Sequence, residues 1–88
     1  MLTLDERNLL VVNYMPFANS LAAKQLRYTS KRVSLDELKS AAYMGLIKAA
    51  MRFRLDKNTA FSTFAASRVN GEMKDYIRAI ERIKNLDG

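Results

Sequence analysis

Phe61-Ser62-Thr63-Phe64 sets two aromatic rings around two hydroxyls, and Arg68, Lys74, Arg78 and Arg82 follow behind them. The chemistry these side chains support is binding. A flat ring beside cations takes an unpaired nucleic-acid base on its face while the cations hold the phosphates, worth roughly 1–3 kcal/mol per stacked base. Plainer uses compete. Phe61 continues an apolar stripe and reads as core. Phe64, three residues on, stands at the border of that stripe, where core and exposed placements both stay open. Ser62 and Thr63 suit the first turn of a helix, where hydroxyls satisfy free amides; they suit phosphates and base edges equally well. The cations can be a solvated face paired with Glu72, Asp75 and Glu81. A second basic-aromatic group, Arg52, Phe53, Arg54 and Lys57, precedes them.

Missing residue types narrow the chemistry further. The chain has no cysteine and no histidine. Disulfides, thiolate or histidine metal sites and nucleophile–histidine catalysis are therefore excluded. The acids do not cluster as metal ligands, and no glycine-rich phosphate loop is present. No enzyme activity, metal or cofactor is expected. The amino terminus has no basic stretch leading into an apolar run, and no apolar run reaches membrane-spanning length. A cytoplasmic protein without membrane contact is the expectation.

Net charge is +6, and it is unevenly spread. Residues 1–23 carry −1, residues 24–34 carry +4 with no acid at all, residues 35–58 carry +2 and residues 59–88 carry +1. Such an excess favours a polyanion as partner.

The elements that must position these residues read as helices throughout. Three glycines and one proline leave few breaks, and apolar residues recur at spacings of three and four. Eighty-eight residues make one domain, so residues 1–88 are read as a single unit. Thr3-Leu4-Asp5-Glu6 and Ser34-Leu35-Asp36-Glu37 are both capping-box patterns. They predict a first helix from Leu4 towards Arg27 and a second from Leu35. Pro16 removes an amide donor and predicts a kink or break near Tyr14–Met15. In the second helix Leu35, Leu38, Ala42, Leu46, Ala49 and Phe53 form one stripe, which Ile47 and Ala50 broaden. Gly45 in mid-helix costs about 1 kcal/mol against alanine, a loss best explained by close helix–helix approach. A third helix is predicted to begin near Thr59–Phe61 and run to about Lys84, with Phe61, Ala65, Val69, Met73, Ile77 and Ile80 inward. The expected class is all-α: a compact bundle of three helices, the first broken at Pro16.

Taken in order, these segments resemble region 2 of the bacterial sigma-70 family, the RNA polymerase sigma factors. The flagellar-type members are most similar. The resemblance runs from Leu9 to about Ile80. It rests on Tyr14-Met15-Pro16-Phe17, Leu35-Asp36-Glu37-Leu38, Gly45-Leu46-Ile47-Lys48-Ala49-Ala50 with Phe53, and Phe61-Ser62-Thr63-Phe64-Ala65. Arg68-Val69-Asn70-Gly71 with Asp75 and Arg78 completes it. The resemblance implies docking on the coiled coil of the largest polymerase subunit, through Glu37, Ser40 and Ala41. It also implies opening of the promoter minus-ten element and capture of flipped bases of the non-template strand. By position, Phe64 resembles the aromatic that replaces the extruded adenine, and Phe53 and Arg52 resemble part of its pocket. Ser62 and Thr63 resemble strand contacts, and Lys57, Arg68, Gly71 and Lys74 fall in backbone or upstream-edge contacts. Ser67 stands where primary sigma factors carry a tryptophan beside that adenine.

The sequence also departs from the pattern. Ser40-Ala41-Ala42 replaces a more polar docking turn, and Thr59-Ala60 replaces an aromatic and a lysine. No helix-turn-helix segment for the minus-thirty-five element follows, so part of a split or partial sigma factor is expected. A partner chain would then carry that reader, and the family also admits an anti-sigma factor as partner. Two rival readings are a polymerase- or regulator-binding module without promoter reading, and a nonspecific basic DNA binder.

Overall fold

Thr3 and Ser34 start the first two helices as their capping boxes predict. In a computed structural model describing residues 2–29, 32–55 and 58–86, the helices are α1 (Leu4–Leu26), α2 (Leu35–Arg52) and α3 (Phe61–Leu86). The Thr3 hydroxyl accepts from the Glu6 amide at 3.1 Å, and the Glu6 carboxylate accepts from the Thr3 amide at 2.9 Å. Ser34 and Glu37 repeat the arrangement at 3.1 and 3.0 Å. Each box satisfies two amides that the first turn leaves without partners.

α2 lies between α1 and α3, which touch each other far less than either touches it. The core is built largely from small residues: Ala18 and Ala22 of α1, Ala41, Ala42, Gly45, Ala49 and Ala50 of α2, and Ala65 of α3 are all buried. Leu38, Leu46, Val69 and Met73 fill the remaining space. Gly45 explains how close the helices come: a Cβ built there would sit 2.7 Å from the Val69 Cα and 2.8 Å from the Arg68 carbonyl oxygen.

Two expectations need correction. α1 runs through Pro16 without a break. The missing amide frees the Val12 carbonyl, but Pro16 and Val12 are both exposed, so water can donate to that carbonyl in the amide's place. Packing on both sides of the proline holds the two halves together, through Tyr14 and Phe17 against the core and Ala18 and Ala22 within it. Ile47 does not broaden the buried stripe. It is exposed with Met44 and Met51, because α1 and α3 cover only two sectors of α2 and leave the third open.

Candidate nucleic-acid interface

The ring cluster starts in α1 and ends at the surface. Tyr14 meets Phe61 edge-on at 4.9 Å between centroids, Phe61 meets Phe53 at 5.1 Å, and Phe53 meets Phe64 at 5.9 Å with the rings tilted by 44°. Edge-to-face packing of this kind adds to burial, by about 0.5–1.5 kcal/mol per pair, and fixes ring orientation. Phe61 is core, as its spacing predicts. Phe64 resolves the ambiguity of its border position by being half-buried: it packs against the core, and the Arg68 guanidinium carbon lies over its ring, 5.7 Å from the centroid. Phe53 is only 8% exposed, so it acts as the backing on which Phe64 rests.

The other residues proposed to meet DNA arrange themselves around this point. Ser62 and Thr63 occupy the first turn of α3, half-buried and exposed respectively. Neither hydroxyl makes a hydrogen bond there among the described residues, so the expected capping of α3 is not seen. That turn carries no acidic residue either. A 26-residue helix thus points its free amides and positive end outward beside Phe64, where an anion is favoured. Ser67, Gly71 and Lys74 continue along the outer face of α3 at helical spacing. No atom lies within 4 Å of the place a Gly71 Cβ would take, so packing does not require this glycine. Arg52 is exposed and, with Arg7, Phe53 and Arg54, lines an open hollow of about 640 Å³ at the C-terminal end of α2. Lys57 lies outside the described residues.

Glu37, Ser40 and Ala41 come together at the opposite end of α2. With Met44 and with Glu72, Asp75 and Tyr76 of α3 they line an open groove of about 520 Å³. Sequence reasoning missed Tyr76, whose hydroxyl donates a short hydrogen bond to the Glu37 carboxylate. It missed Arg7 too, whose guanidinium donates to the carbonyls of Ala50 and Phe53. Both partners are remote in sequence, so no local pattern announces them. Among the described residues no cluster of acids, cysteines or histidines could hold a metal, and no helix is long and apolar enough to cross a membrane.

Tyr76 and Glu37 couple stability to pH. The Tyr76 hydroxyl, and then the amide and hydroxyl of Ser34, hold the Glu37 carboxyl below its ordinary value of 4.5. A depressed carboxyl stabilises the fold above that value, and the contribution disappears as pH falls through the lowered one. Tyr76 is pushed above 10.0, chiefly by its bond to Glu37, so its contribution is whole below 10 and is lost as pH rises past it. Thermal melts against pH should therefore fall off on both sides of a plateau. Tyr76→Phe should flatten the alkaline fall and shrink the acid one; unchanged limbs would remove the pair as their cause.

Comparison with known proteins places these sites in context. The family model of Sigma-70 region 2 matches residues 10–83. The RNA polymerase sigma factor FliA of Pseudomonas aeruginosa is 30% identical over 69 residues, covering 78% of this chain and 28% of the relative. That of Yersinia enterocolitica is 32% identical over 74 residues, covering 84% and 32%. That of Escherichia coli is 33% identical over 66 residues, covering 75% and 28%. The chain thus spans about a third of the length of these curated relatives. No solved structure matches.

Proposed function

The chain belongs to the sigma-70 region 2 family, and from that premise we propose that it binds core RNA polymerase and captures the opened non-template strand of the promoter minus-ten element. One observation carries the reading: the chain of packed rings that ends in half-buried Phe64 beside an uncapped helix start. Extracting a base from a duplex costs a few kcal/mol of unstacking. A ring braced from behind by Phe53 can take the vacated place in the stack without losing its own position. The free amides of α3, with Ser62 and Thr63, are set to hold the strand's phosphates close by. Arg52 and Arg68 add positive charge on either side, and the Ser67–Gly71–Lys74 stripe offers a low surface to the upstream edge.

In this reading, the groove around Glu37, Ser40 and Ala41 docks the coiled coil of the largest polymerase subunit. Ala41 is almost covered, so Ser40, Met44 and the Glu37 edge form the accessible part. Reading of the minus-thirty-five element is assigned to polypeptide other than these 88 residues, a partner chain among the options. An anti-sigma factor fits the same groove as a competitor, and the site of action is the cytoplasm, where the polymerase works.

The test is fluorescence binding of non-template minus-ten oligonucleotides, with and without core polymerase. Phe64→Ala should weaken polymerase-dependent binding by roughly 10-fold or more, the loss of one stacked base. Arg68→Ala should weaken it less and lower its salt dependence. If both variants bind as the wild type does while polymerase docking persists, strand capture is wrong and the interaction-module reading takes its place. Strong duplex binding without polymerase would favour a nonspecific DNA binder.

A further inference from the structure

The outer face of α1 takes no part in the function proposed above. Residues 8–23 are the longest run in the chain without a charge, sixteen residues or about four turns of helix. Ala18 and Ala22 turn inward, and on the opposite side Leu9, Val12, Pro16, Ser20 and Ala23 are all exposed. They recur at spacings of three and four, so they form one stripe along the helix. Leu9 and Val12 keep 59% and 61% of their surface in water. Isolated apolar residues on a surface need no explanation, but a charge-free stripe along most of a helix does.

The stripe ends in charges of opposite sign. Its spacing continues to Asp5, one turn before Leu9, and to Arg27, one turn after Ala23. Arg27 is the C-cap and keeps helical dihedrals, φ −63° and ψ −24°, so it stays on the same face. Both side chains are exposed, and neither forms an ion pair among the described residues. A stripe acidic at one end, basic at the other and uncharged between is complementary to itself when reversed.

We infer that α1 pairs with α1 of a second copy of this chain, antiparallel and about a two-fold axis at Pro16. In that register Asp5 faces Arg27 of the second copy, Leu9 faces its Ala23 and Val12 its Ser20. Each large apolar side chain thus meets a small one. Glu6 and Lys24, about five turns apart on the same flank, add a further pair of opposite charges across the seam. Every pair occurs twice by symmetry. A parallel pairing would set Asp5 against Asp5 and Arg27 against Arg27 with the helix dipoles aligned; reversal removes both conflicts. The Val12 carbonyl, left without an amide by Pro16, then meets the Ser20 hydroxyl of the second copy, which in the single chain donates to its own Pro16 carbonyl at 3.1 Å. The interface is small: α1 is about 34 Å long, and a strip about 10 Å wide buries roughly 700 Å² over both copies. Stable complexes bury about 1,200 Å² or more, so this dimer is weak and forms at high concentration. The groove around Ser40 and the ring of Phe64 belong to α2 and α3, so both proposed sites stay open in it.

Sedimentation equilibrium of the full chain, from about 10 µM to about 1 mM, tests the pairing. Wild type should pass from monomer to dimer within that range. Asp5→Arg and Arg27→Asp should each weaken dimerisation by roughly 10-fold or more, since two attractions become two repulsions. The double variant should recover most of that loss. Each change also opposes the dipole of α1, so the double variant should melt below either single one. Pairing restored in the least stable chain cannot come from a restored fold. Val12→Lys, at an exposed position, should keep the melting temperature and weaken pairing by a similar factor. A double variant as weak as the single ones overturns the inference, and so does undiminished pairing in Val12→Lys. A wild type still monomeric at about 1 mM overturns it too; if Val12→Lys then also loses affinity for core polymerase, the stripe belongs to the polymerase.

Discussion

Gly45→Ala should destabilise the protein by about 2 kcal/mol, although alanine is the better helix former by about 1 kcal/mol. The added methyl would lie 2.7 Å from the Val69 Cα and 2.8 Å from the Arg68 carbonyl oxygen, and both are backbone atoms of α3. A flexible side chain could swing away; a helix backbone must move as a unit. Overpacking of this kind costs about 1–3 kcal/mol or occasionally more, and here the propensity gain offsets only part of it. Native stability is typically only about 5–15 kcal/mol, so the melting temperature should drop by roughly 10 °C. Gly71→Ala supplies the control on the neighbouring helix. Its methyl meets nothing within 4 Å, so the fold should gain up to about 1 kcal/mol. Equal responses at the two glycines in a chemical denaturation series would refute the close-approach argument. The effect at Gly45 should reach beyond stability: the atoms displaced include the carbonyl of Arg68, whose guanidinium lies over the Phe64 ring, so strand binding should weaken well below the melting temperature.

What the sequence discloses and what it hides divide along local and remote interactions. The starts of α1 and α2 are legible because a capping box is completed within four residues. Gly45 is legible because a mid-helix glycine is a local loss that needs a packing reason. Pro16 misleads for the converse reason: its penalty is local, while the packing that keeps α1 whole comes from α2 and α3. Ile47 misleads because periodicity identifies an apolar face without saying how many helices cover it. Phe64 is ambiguous by position, and only the placement of Phe53 beneath it settles that it is half-buried. Arg7 and Tyr76 are invisible in the sequence, since their partners lie 43, 46 and 39 residues away. For the site, the residue types are readable and their support is not. A sequence shows that an aromatic precedes a basic helix; it does not show what holds that aromatic in place.

Arg7→Ala should then be the most damaging substitution of a charged side chain for both fold and site, at about 2–3 kcal/mol. The last carbonyls of α2 have no intrahelical donors. The chain leaves the helix at Phe53 in an extended conformation, φ −66° and ψ 139°, so the usual left-handed turn that satisfies such carbonyls is missing. Arg7 takes over that work from α1. Its guanidinium bonds the Ala50 and Phe53 carbonyls in a partly buried position, the second at 3.0 Å. Hydrogen bonds from a charged group contribute about 1.5–3 kcal/mol, and a cation at a helix C-terminus adds to that. Arg7→Lys keeps the charge but not the reach and planar donor geometry of the one terminal nitrogen that bonds both carbonyls, so it should recover about half the loss. Arg7→Met keeps the packing of the stem and should recover less. Because Phe53 is the ring against which Phe64 rests, the same order should appear in minus-ten strand binding measured well below the melting temperature. Stability that follows this order while strand binding stays constant would separate the α2 cap from the aromatic site. Both falling in that order would make Arg7, a residue of α1 far from the strand, the anchor of the surface that captures it.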